Sequence, residues 1–301
     1  MSSVLYDAPG PVARRRELWG SVIGTLVILG ALFLAARYAA GRGVFQADRW
    51  DVLWDPPKGQ SAGAVWRSIL VNGLGATLRA AAIAAPLALV LGLLLAVWRR
   101  AANAVVRAPA IAVVELFRGL PVLVVMFFGW VGFGMKPMQA VIFGLVLYNM
   151  AIIAEILRAG LAALPRGQAE ASLAIGMTRW QTLRTVELPQ AVRTMTPSLV
   201  AQLVVLLKDS SLGFIIGYPE LLRAIQNNTQ YFGQKYSVAL FAVGALVYLA
   251  INISLSRLAV RLQRQGSKRT AGAIDGQRAA AELPAGAVVL DPAAGRDRMG
   301  P

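Results

Sequence analysis

The sequence contains no cysteine and no histidine among its 301 residues. Without cysteine, the chain can form no disulfide and has no thiolate nucleophile. Without histidine, it lacks imidazole metal ligands and the side chain that most often performs acid–base work near neutral pH. These two absences exclude cysteine-dependent enzymes, histidine metal centres and histidine catalysis.

Charged residues are also scarce, and acidic ones most of all. Only 15% of residues are charged and 57% are hydrophobic, with a mean hydropathy of +0.59, whereas about a quarter of an ordinary soluble domain is charged. The 30 Lys and Arg outnumber the 15 Asp and Glu. Because these basic residues flank hydrophobic runs instead of forming a patch with aromatics, they favour cytoplasmic membrane loops over nucleic-acid binding. The composition predicts an integral membrane protein.

The hydrophobic residues occur in runs that match the thickness of a bilayer, which takes about 20 residues of helix. The strict alternation of a membrane β-strand is absent from the sequence, so the runs predict α-helices, which satisfy their own backbone hydrogen bonds in lipid. The runs lie at 20–40, 76–98, 110–133, 138–157, 195–217 and 238–258. The predicted fold class is an all-α, polytopic membrane protein with about six transmembrane helices.

Lysine and arginine are concentrated in alternate loops, which predicts the orientation. Arginines precede the first run and follow the second, fourth and sixth, whereas the opposite loops are short or mixed in sign. Both termini are therefore expected in the cytoplasm. The first run also fits a cleaved signal peptide, but its length, with Arg37 and Tyr38 at the possible cleavage site, favours an uncleaved helix.

These boundaries predict five regions along the chain. A cytoplasmic segment (1–19) and an extra N-terminal transmembrane helix (20–40) precede an extracytoplasmic loop (41–69). A five-helix core (70–262) follows, interrupted by a polar cytoplasmic loop at 164–190. The tail 263–301 lacks an apolar periodic run and is expected to be disordered.

The polar loop has an apolar face at helical spacing. Its members are Leu173, Met177, Trp180, Leu183 and Val186. An amphipathic helix on the inner leaflet would show such a face. However, Gly176 interrupts it at a cost of about 1 kcal/mol relative to alanine, and Glu170 and Glu187 suit an anionic leaflet poorly. A helix–turn–helix that docks a protein fits better.

The spacing of this loop resembles a known family motif. Residues 170–189 read EAS, three residues, G, nine residues and VELP, which is similar to the EAA loop of ABC-importer permeases. Other stretches resemble the polar amino-acid (histidine/glutamine/glutamate-type) branch of that family: FRGLP at 117–121, AEILRAG at 154–160, PRGQ at 165–168 and LKDSSL at 207–212. Within this branch, the sequence PVLVVM at 121–126 most resembles the glutamate-importer permeases.

The resemblance implies a type I ABC-importer permease fold and a transport subunit that is not itself an enzyme. It implies that the loop docks on a cytoplasmic ATPase dimer, which binds ATP and Mg. The ATPase must be a separate chain because this one has no G-x-x-x-x-G-K-[ST] phosphate loop. The implied coupling residues are Glu170, Ala171, Leu173, Gly176, Met177, Trp180, Leu188 and Pro189. Glu170 is expected at the N-terminal end of a short helix, and Pro189 is expected to end the loop before the fifth helix.

The other implied partners are a second permease subunit, with a heterodimer favoured over a homodimer, an extracytoplasmic solute-binding protein and a polar amino acid, glutamate or a related one. The resemblance also implies a bacterial plasma membrane.

Charged residues inside the fifth run mark a candidate translocation path. A charge at bilayer depth costs at least about 2.5–3.5 kcal/mol, so it normally faces a bundle interior or water. The candidates in this run are Lys208, Asp209, Ser210 and Ser211. Lys208 could meet the carboxylate of an amino acid and Asp209 its ammonium group; alternatively both are structural and end the helix early.

Two acidic–basic pairs lie near the cytoplasmic ends of the third and fourth runs. Glu115 precedes Arg118 by three residues, and Glu155 precedes Arg158 by three, so each pair is expected to interact on one helix face. They are either structural ion pairs or part of a cytoplasmic gate. Pro121 is expected to bend the third helix, which would place Arg118 and Pro121 along the path.

Two other classes fit the sequence less well. An ion-coupled secondary transporter predicts a longer chain with internal repeats, and none is found in the sequence. A membrane-anchored enzyme or scaffold would carry a sizeable soluble domain or a nucleophile with its base, and the sequence provides neither.

Overall fold

A computed structural model describes residues 10–257 of the chain. The predicted disordered tail at 263–301 and the last residue of the sixth run lie outside the described residues. The helices are α1 (Pro11–Gly41), α2 (Ala62–Trp66), α3 (Gly75–Trp98), α4 (Ala104–Gly119), α5 (Val122–Phe127), α6 (Pro137–Ala162), α7 (Arg166–Ala174), α8 (Arg179–Thr182), α9 (Leu188–Asp209), α10 (Leu221–Phe232) and α11 (Gln234–Arg257).

Several neighbouring helices are continuous through short irregular turns. A π-helical segment (Arg67–Leu74) joins α2 to α3, a second (Phe128–Gly132) extends α5, and a third (Leu183–Glu187) joins α8 to α9. A 3₁₀ segment (Ser210–Ile216) extends α9. Two single-turn 3₁₀ helices, Ala47–Arg49 and Asp51–Leu53, lie in the loop after α1. The rest of the chain between residues 10 and 257 is turns and loops, so the predicted all-α class is confirmed.

Five helical segments within residues 10–257 are long and apolar enough to cross a membrane. They are Val12–Gly41, Ala62–Trp98, Pro137–Ala162, Arg179–Ile216 and Gln234–Arg257. A sixth span is formed if α4 and the segment Val122–Gly132 count as one, and these two are bent by 103°. The predicted number of spans, about six, is confirmed.

The boundaries of the spans differ from the hydrophobic runs. With the bent pair counted as the third span, the second span begins at Ala62 instead of residue 76, and the fifth begins at Arg179 instead of residue 195. Hydropathy detects only the part of a helix that matches the hydrocarbon layer, about 30 Å or 20 residues. Helices of 37 and 38 residues extend well past that thickness, where polar residues are tolerated.

The third run is broken between two helices, which is more than the predicted bend. Leu120 adopts an extended conformation after α4, and Pro121 is the extended N-cap of α5. Proline disfavours helical geometry in the residue before it, so the sequence Leu120-Pro121 ends α4. The prediction gave the correct position, at Pro121, but expected a bend in one helix where the structure has two separate helices.

The residues form two compact units. The first comprises the chain up to Ala76 with Pro219–Leu246, and the second comprises Thr77–Tyr218 with the end of α11. In the second unit α6 packs closely on its neighbours through glycine. A Cβ at Gly92 of α3 would lie 2.6 Å from Ile153 Cγ2 and 2.9 Å from the Met150 carbonyl oxygen, both on α6. Only glycine permits this approach, which positions the end of α3 beside α6.

In the first unit, an ion pair joins the loop after α1 to the start of α11. Lys235 Nζ lies 2.9 Å from Asp48 Oδ2. The hydrogen bond from Lys235 lowers the pKa of the Asp48 carboxyl below its ordinary value, against a smaller opposing effect of desolvation. Both side chains are largely exposed, so solvent screens the pair.

Candidate functional site

The loop between α6 and α9 contains two short helices, α7 and α8, and is called here the coupling segment (residues 164–190). Gly176 lies between them with φ of +88°. The turn is closed by hydrogen bonds from Gly176 N to Leu173 O at 3.0 Å and from Met177 N to Ser172 O at 3.2 Å. A left-handed residue after a helix is usually glycine because it has no Cβ. The turn predicted at Gly176 is present.

Thr178 starts α8 with a reciprocal pair of hydrogen bonds. Its backbone N–H donates to Gln181 Oε1 at 2.8 Å, while Gln181 N donates to Thr178 Oγ1 at 3.3 Å. This is a capping box, which satisfies two backbone donors at a helix start. The second helix of the turn is therefore fixed by local sequence as well as by packing.

The turn presents large apolar side chains to solvent. Ile175 is 79% exposed, Trp180 57% and Leu173 43%, whereas Met177 is half-buried and Leu183 is buried. The five positions therefore do not form one continuous face, because the turn at Gly176 separates an outer group from an inner one, as the expected helix–turn–helix implies. Sequence reasoning missed Ile175, although an isoleucine directly before a turn glycine is an available signal.

The acidic start of the motif lies on the outer side of α7. Glu170 and Ala171 are exposed. The helix begins at Arg166 after Pro165, so Glu170 lies in its second turn. The prediction that Glu170 sits at a helix N-terminus is wrong, because Pro165 starts the helix four residues earlier than the motif suggests.

Pro189 does not end the coupling segment, contrary to the prediction. The helix that begins at Arg179 continues through Leu188 and Pro189 to Ile216. The π-helical turn Leu183–Glu187 lies directly before the proline. Since proline has no N–H and clashes with the preceding turn, a widened turn at this place lets the helix continue. Leu188 is half-buried and Pro189 exposed.

The π-helical turn is anchored by an apolar contact at the base of the segment. Leu183 forms a small buried cluster with Leu161 of α6 and Ala191 of α9. Val97, in the last turn of α3, packs against this cluster. The coupling segment is therefore in direct contact with the ends of three longer helices.

An ionic cluster lies at the ends of α3, α4 and α6. Both predicted pairs form, with 2.7 Å between Arg118 Nη2 and Glu115 Oε2 and 2.6 Å between Arg158 Nη2 and Glu155 Oε1. The sequence did not reveal that they belong together. Arg118 Nη1 lies 3.7 Å from Glu155 Oε1, and Arg99 Nη1 donates to Glu155 Oε2 at 2.9 Å.

A further ion pair joins the turn after α3 to the coupling segment. Arg100 Nη2 contacts both carboxylate oxygens of Glu187, at 3.2 and 3.0 Å. The Glu187 side chain is only 12% exposed and that of Arg100 is 42% exposed. No spacing signal in the sequence connects residues 87 positions apart. Within residues 10–257, no group of three or more acidic side chains could hold a metal ion.

The charges in the fifth span lie where the helix changes its form. α9 ends at Asp209 and continues as a 3₁₀ segment. Lys208 is exposed and Asp209 half-buried, and neither side chain has an ion-pair partner among the residues that the structure describes. Ser210 is buried and donates to Leu207 O at 2.7 Å, and Ser211 donates to Lys208 O at 2.7 Å. The serines therefore stabilise the helix end, while the charges remain available.

Sequence reasoning also missed a polar contact between α6 and α9. Gln202 Nε2 donates to Asn149 Oδ1 at 2.8 Å, and Asn149 Nδ2 donates to Leu145 O at 2.7 Å. Asn149 is fully buried. A polar contact of this kind between membrane helices is worth roughly 0.6–2 kcal/mol, so it fixes α6 against α9 between the two candidate sites.

Comparisons with known proteins agree with this geometry. Residues 88–267 match the family described as "Binding-protein-dependent transport system inner membrane component". The glutamate transport system permease protein GluD of Corynebacterium glutamicum is 39% identical over 235 residues, covering 75% of this chain and 82% of that protein. The glutamate/aspartate import permease protein GltK of Escherichia coli O157:H7 is 34% identical over 219 residues, covering 66% and 97%.

Solved structures show the same fold. A chain of an amino acid ABC transporter crystallised with histidines has a TM-score of 0.62 and 27% identity, covering 68% of this chain and 97% of that one. A chain of the MetNI methionine ABC transporter in an inward-facing conformation has a TM-score of 0.59 and 25% identity, covering 69% and 99%.

Proposed function

The chain belongs to the family of inner-membrane components of binding-protein-dependent transport systems, and from this premise we propose that it is the permease subunit of an ATP-driven importer of polar amino acids, with glutamate or a close relative as substrate. It is a multi-pass inner-membrane protein, and ATP hydrolysis belongs to a separate subunit. The names of GluD and GltK, which both include glutamate, support this substrate class.

The observation that carries the proposal is the exposed apolar turn of the coupling segment. Ile175 and Trp180 are exposed next to Gly176, on a segment whose second helix continues into a membrane span. Large apolar side chains grouped at a turn are typical of a protein docking site. Glu170, Ala171, Leu173 and Met177 extend this docking surface, and Leu188 and Pro189 connect it to α9.

The partner at this surface is a cytoplasmic ATPase dimer that binds ATP and Mg. A second permease subunit, in a heterodimer, completes the pore, and an extracytoplasmic binding protein delivers the amino acid. The coupling segment and both termini lie in the cytoplasm, and α1 is retained as an uncleaved helix; the arginine-rich loops support this orientation. The family description, which includes a binding protein, and the similarity to a chain of an amino acid ABC transporter support this assembly.

The translocation path passes the unpaired charges of the fifth span. Lys208 contacts the substrate carboxylate and Asp209 its ammonium group, with Ser211 nearby and Ser210 supporting the helix end from inside. Arg118 and Pro121 lie where the broken third span provides backbone that need not be helical. The ionic cluster of Glu115, Arg118, Glu155 and Arg158 closes the cytoplasmic side when the transporter is at rest.

Reconstituted transport tests the function. Proteoliposomes that hold this chain, the second permease and the ATPase receive the binding protein and labelled glutamate. We expect uptake that requires internal ATP and persists after ionophores collapse the ion gradients, with glutamine and aspartate as competitors. Uptake that is lost with the ion gradient and does not need ATP would establish an ion-coupled transporter instead.

Replacement of an exposed apolar residue tests the docking surface. Ile175→Ser is expected to weaken binding of the ATPase, because a buried isoleucine contributes roughly 1.5–3 kcal/mol. Val105→Ser is the matched control, since Val105 at the start of α4 is also 79% exposed and lies outside the coupling segment. Equal retention of the ATPase by both variants would contradict docking at Ile175.

Lys208→Gln tests the path. Loss of a charged hydrogen bond to the substrate is expected to raise the half-saturating concentration for uptake about tenfold or more, while the ATPase still copurifies. Ser198→Ala, an exposed position on the same helix, serves as the control. Unchanged uptake in Lys208→Gln would show that this residue is structural.

A further inference from the structure

Two consecutive arginines at the end of α3 contact different parts of the cytoplasmic side. Arg100 binds Glu187 in the π-helical turn of the coupling segment, with 3.0 and 3.2 Å to its two oxygens. Arg99 binds Glu155 on α6 at 2.9 Å and lies 4.0 Å from Glu115 on α4. Adjacent residues of one chain thus join the coupling segment to the ionic cluster.

The apolar contact at the same place supports this connection. Val97 is one helical turn before Arg100, and it packs against the cluster that contains Leu183. Leu183 and Glu187 are the first and last residues of the π-helical turn. The end of α3 and the residue pair after it therefore meet the π-helical turn in two ways: Val97 packs on the cluster that contains Leu183, and Arg100 pairs with Glu187.

The ionic part of this connection is a single pair. Within residues 10–257, Arg100–Glu187 is the ion pair that links the coupling segment to another part of the chain. The partly exposed Arg100 side chain makes the pair weak as a source of static stability, since solvent screens such pairs. A pair that adds little stability but links a docking segment to a helix end is suited to passing on a movement.

We propose that Arg100 and Arg99 are positioning residues that transmit movement of the coupling segment, through the end of α3, to the ionic cluster on α4 and α6. A shift of Glu187 moves Arg100, and Arg99 follows because it is the neighbouring residue. Arg99 then changes its distances to Glu155 and Glu115, which separates the ends of α4 and α6. This inference rests on the proposed function, because it requires an ATPase that moves the segment.

The test compares coupling in the complete reconstituted transporter. Arg100→Glu places two carboxylates together and is expected to lower uptake per ATP hydrolysed about tenfold, a change within the range of coupling between contacting charges, while the ATPase copurifies normally. The double variant Arg100→Glu with Glu187→Arg restores the pair in reverse and is expected to recover most of the coupling. Arg100→Gln removes the charge with little change in length and serves if Arg100→Glu does not reach the membrane.

Arg107→Glu is the matched control, because Arg107 is an exposed arginine on α4 without a side-chain partner among residues 10–257. The inference is overturned if Arg100→Glu and Arg100→Gln keep the wild-type ratio, if Arg107→Glu loses as much coupling, or if the reversed pair fails to recover it. Loss of the ATPase from Arg100→Glu would also overturn it, since the pair would then serve assembly. A wild-type complex without ATP-dependent uptake contradicts the proposed function itself.

Discussion

The conformation of Gly176 leads to a prediction in which one substitution has opposite effects at two neighbouring glycines. Gly176 has φ of +88° and Gly167, in the first turn of α7, has no positive φ; a Cβ at either position would have no heavy atom within 4 Å. Alanine therefore fits both places sterically. Any difference between Gly176→Ala and Gly167→Ala comes from the backbone.

The expected size follows from the cost of left-handed geometry. A residue with a Cβ pays about 1–2 kcal/mol in that region, which lowers the equilibrium constant for forming the turn about 5- to 30-fold. Gly167→Ala is expected to be neutral or to stabilise α7 by about 0.5–1 kcal/mol, since glycine is unfavourable inside a helix. Gly176→Asn is expected to lie between wild type and Gly176→Ala, because asparagine visits this region more readily.

Titration of the ATPase onto the permease in lipid nanodiscs measures these effects as apparent affinities. We expect the order Gly167→Ala and wild type first, then Gly176→Asn, then Gly176→Ala. Equal affinities for both alanine variants would refute the backbone argument. Weaker binding by Gly176→Asn than by Gly176→Ala would also refute the backbone argument. In that case the size of the side chain at the contact with the ATPase would decide the affinity.

Two further predictions concern stability. Gly92→Ala should lower the thermal midpoint in detergent, at a cost of about 1–3 kcal/mol for overpacking, because its Cβ would lie 2.9 Å from the Met150 carbonyl oxygen; Gly24→Ala, with open space around it, should not. Because the pKa of Asp48 is lowered by Lys235, the pair stabilises the fold above the ordinary Asp pKa and loses this effect as the pH falls through the lowered value. The midpoint difference between wild type and Asp48→Asn should therefore be present at pH 7 and vanish in strong acid; a difference that grows in acid would contradict this sign.

The sequence alone could predict features that depend on local pattern. The hydrophobic runs located the membrane helices, the i,i+3 spacing located Glu115 with Arg118, and Gly176 located the turn. Each of these depends on residues a few positions apart, where helix geometry or a single conformational preference decides the outcome.

Features that depend on distant residues or on a compensating irregularity could not be predicted. Arg99 and Glu155 are 56 positions apart, and many arginines in the chain could have been the partner. Pro189 normally signals a helix end, but a π-helical turn before it permits continuation. The sequence carried no visible sign of that turn, so the coupling segment was predicted to be separate from the membrane helix.

The helix from Arg179 to Ile216, continuous in spite of Pro189 and Pro197, would act as a lever if it turned as one body. With a rise of about 1.5 Å per residue, Trp180 lies about 16 Å on one side of Ala191 and Lys208 about 25 Å on the other. Ala191 is fully buried against Leu183 and Leu161, so the helix would pivot about this residue. A rotation of about 10° there would move Trp180 by about 3 Å and Lys208 by about 4 Å in the opposite direction, and it would open the hydrogen bond between Gln202 and Asn149 that holds α9 on α6.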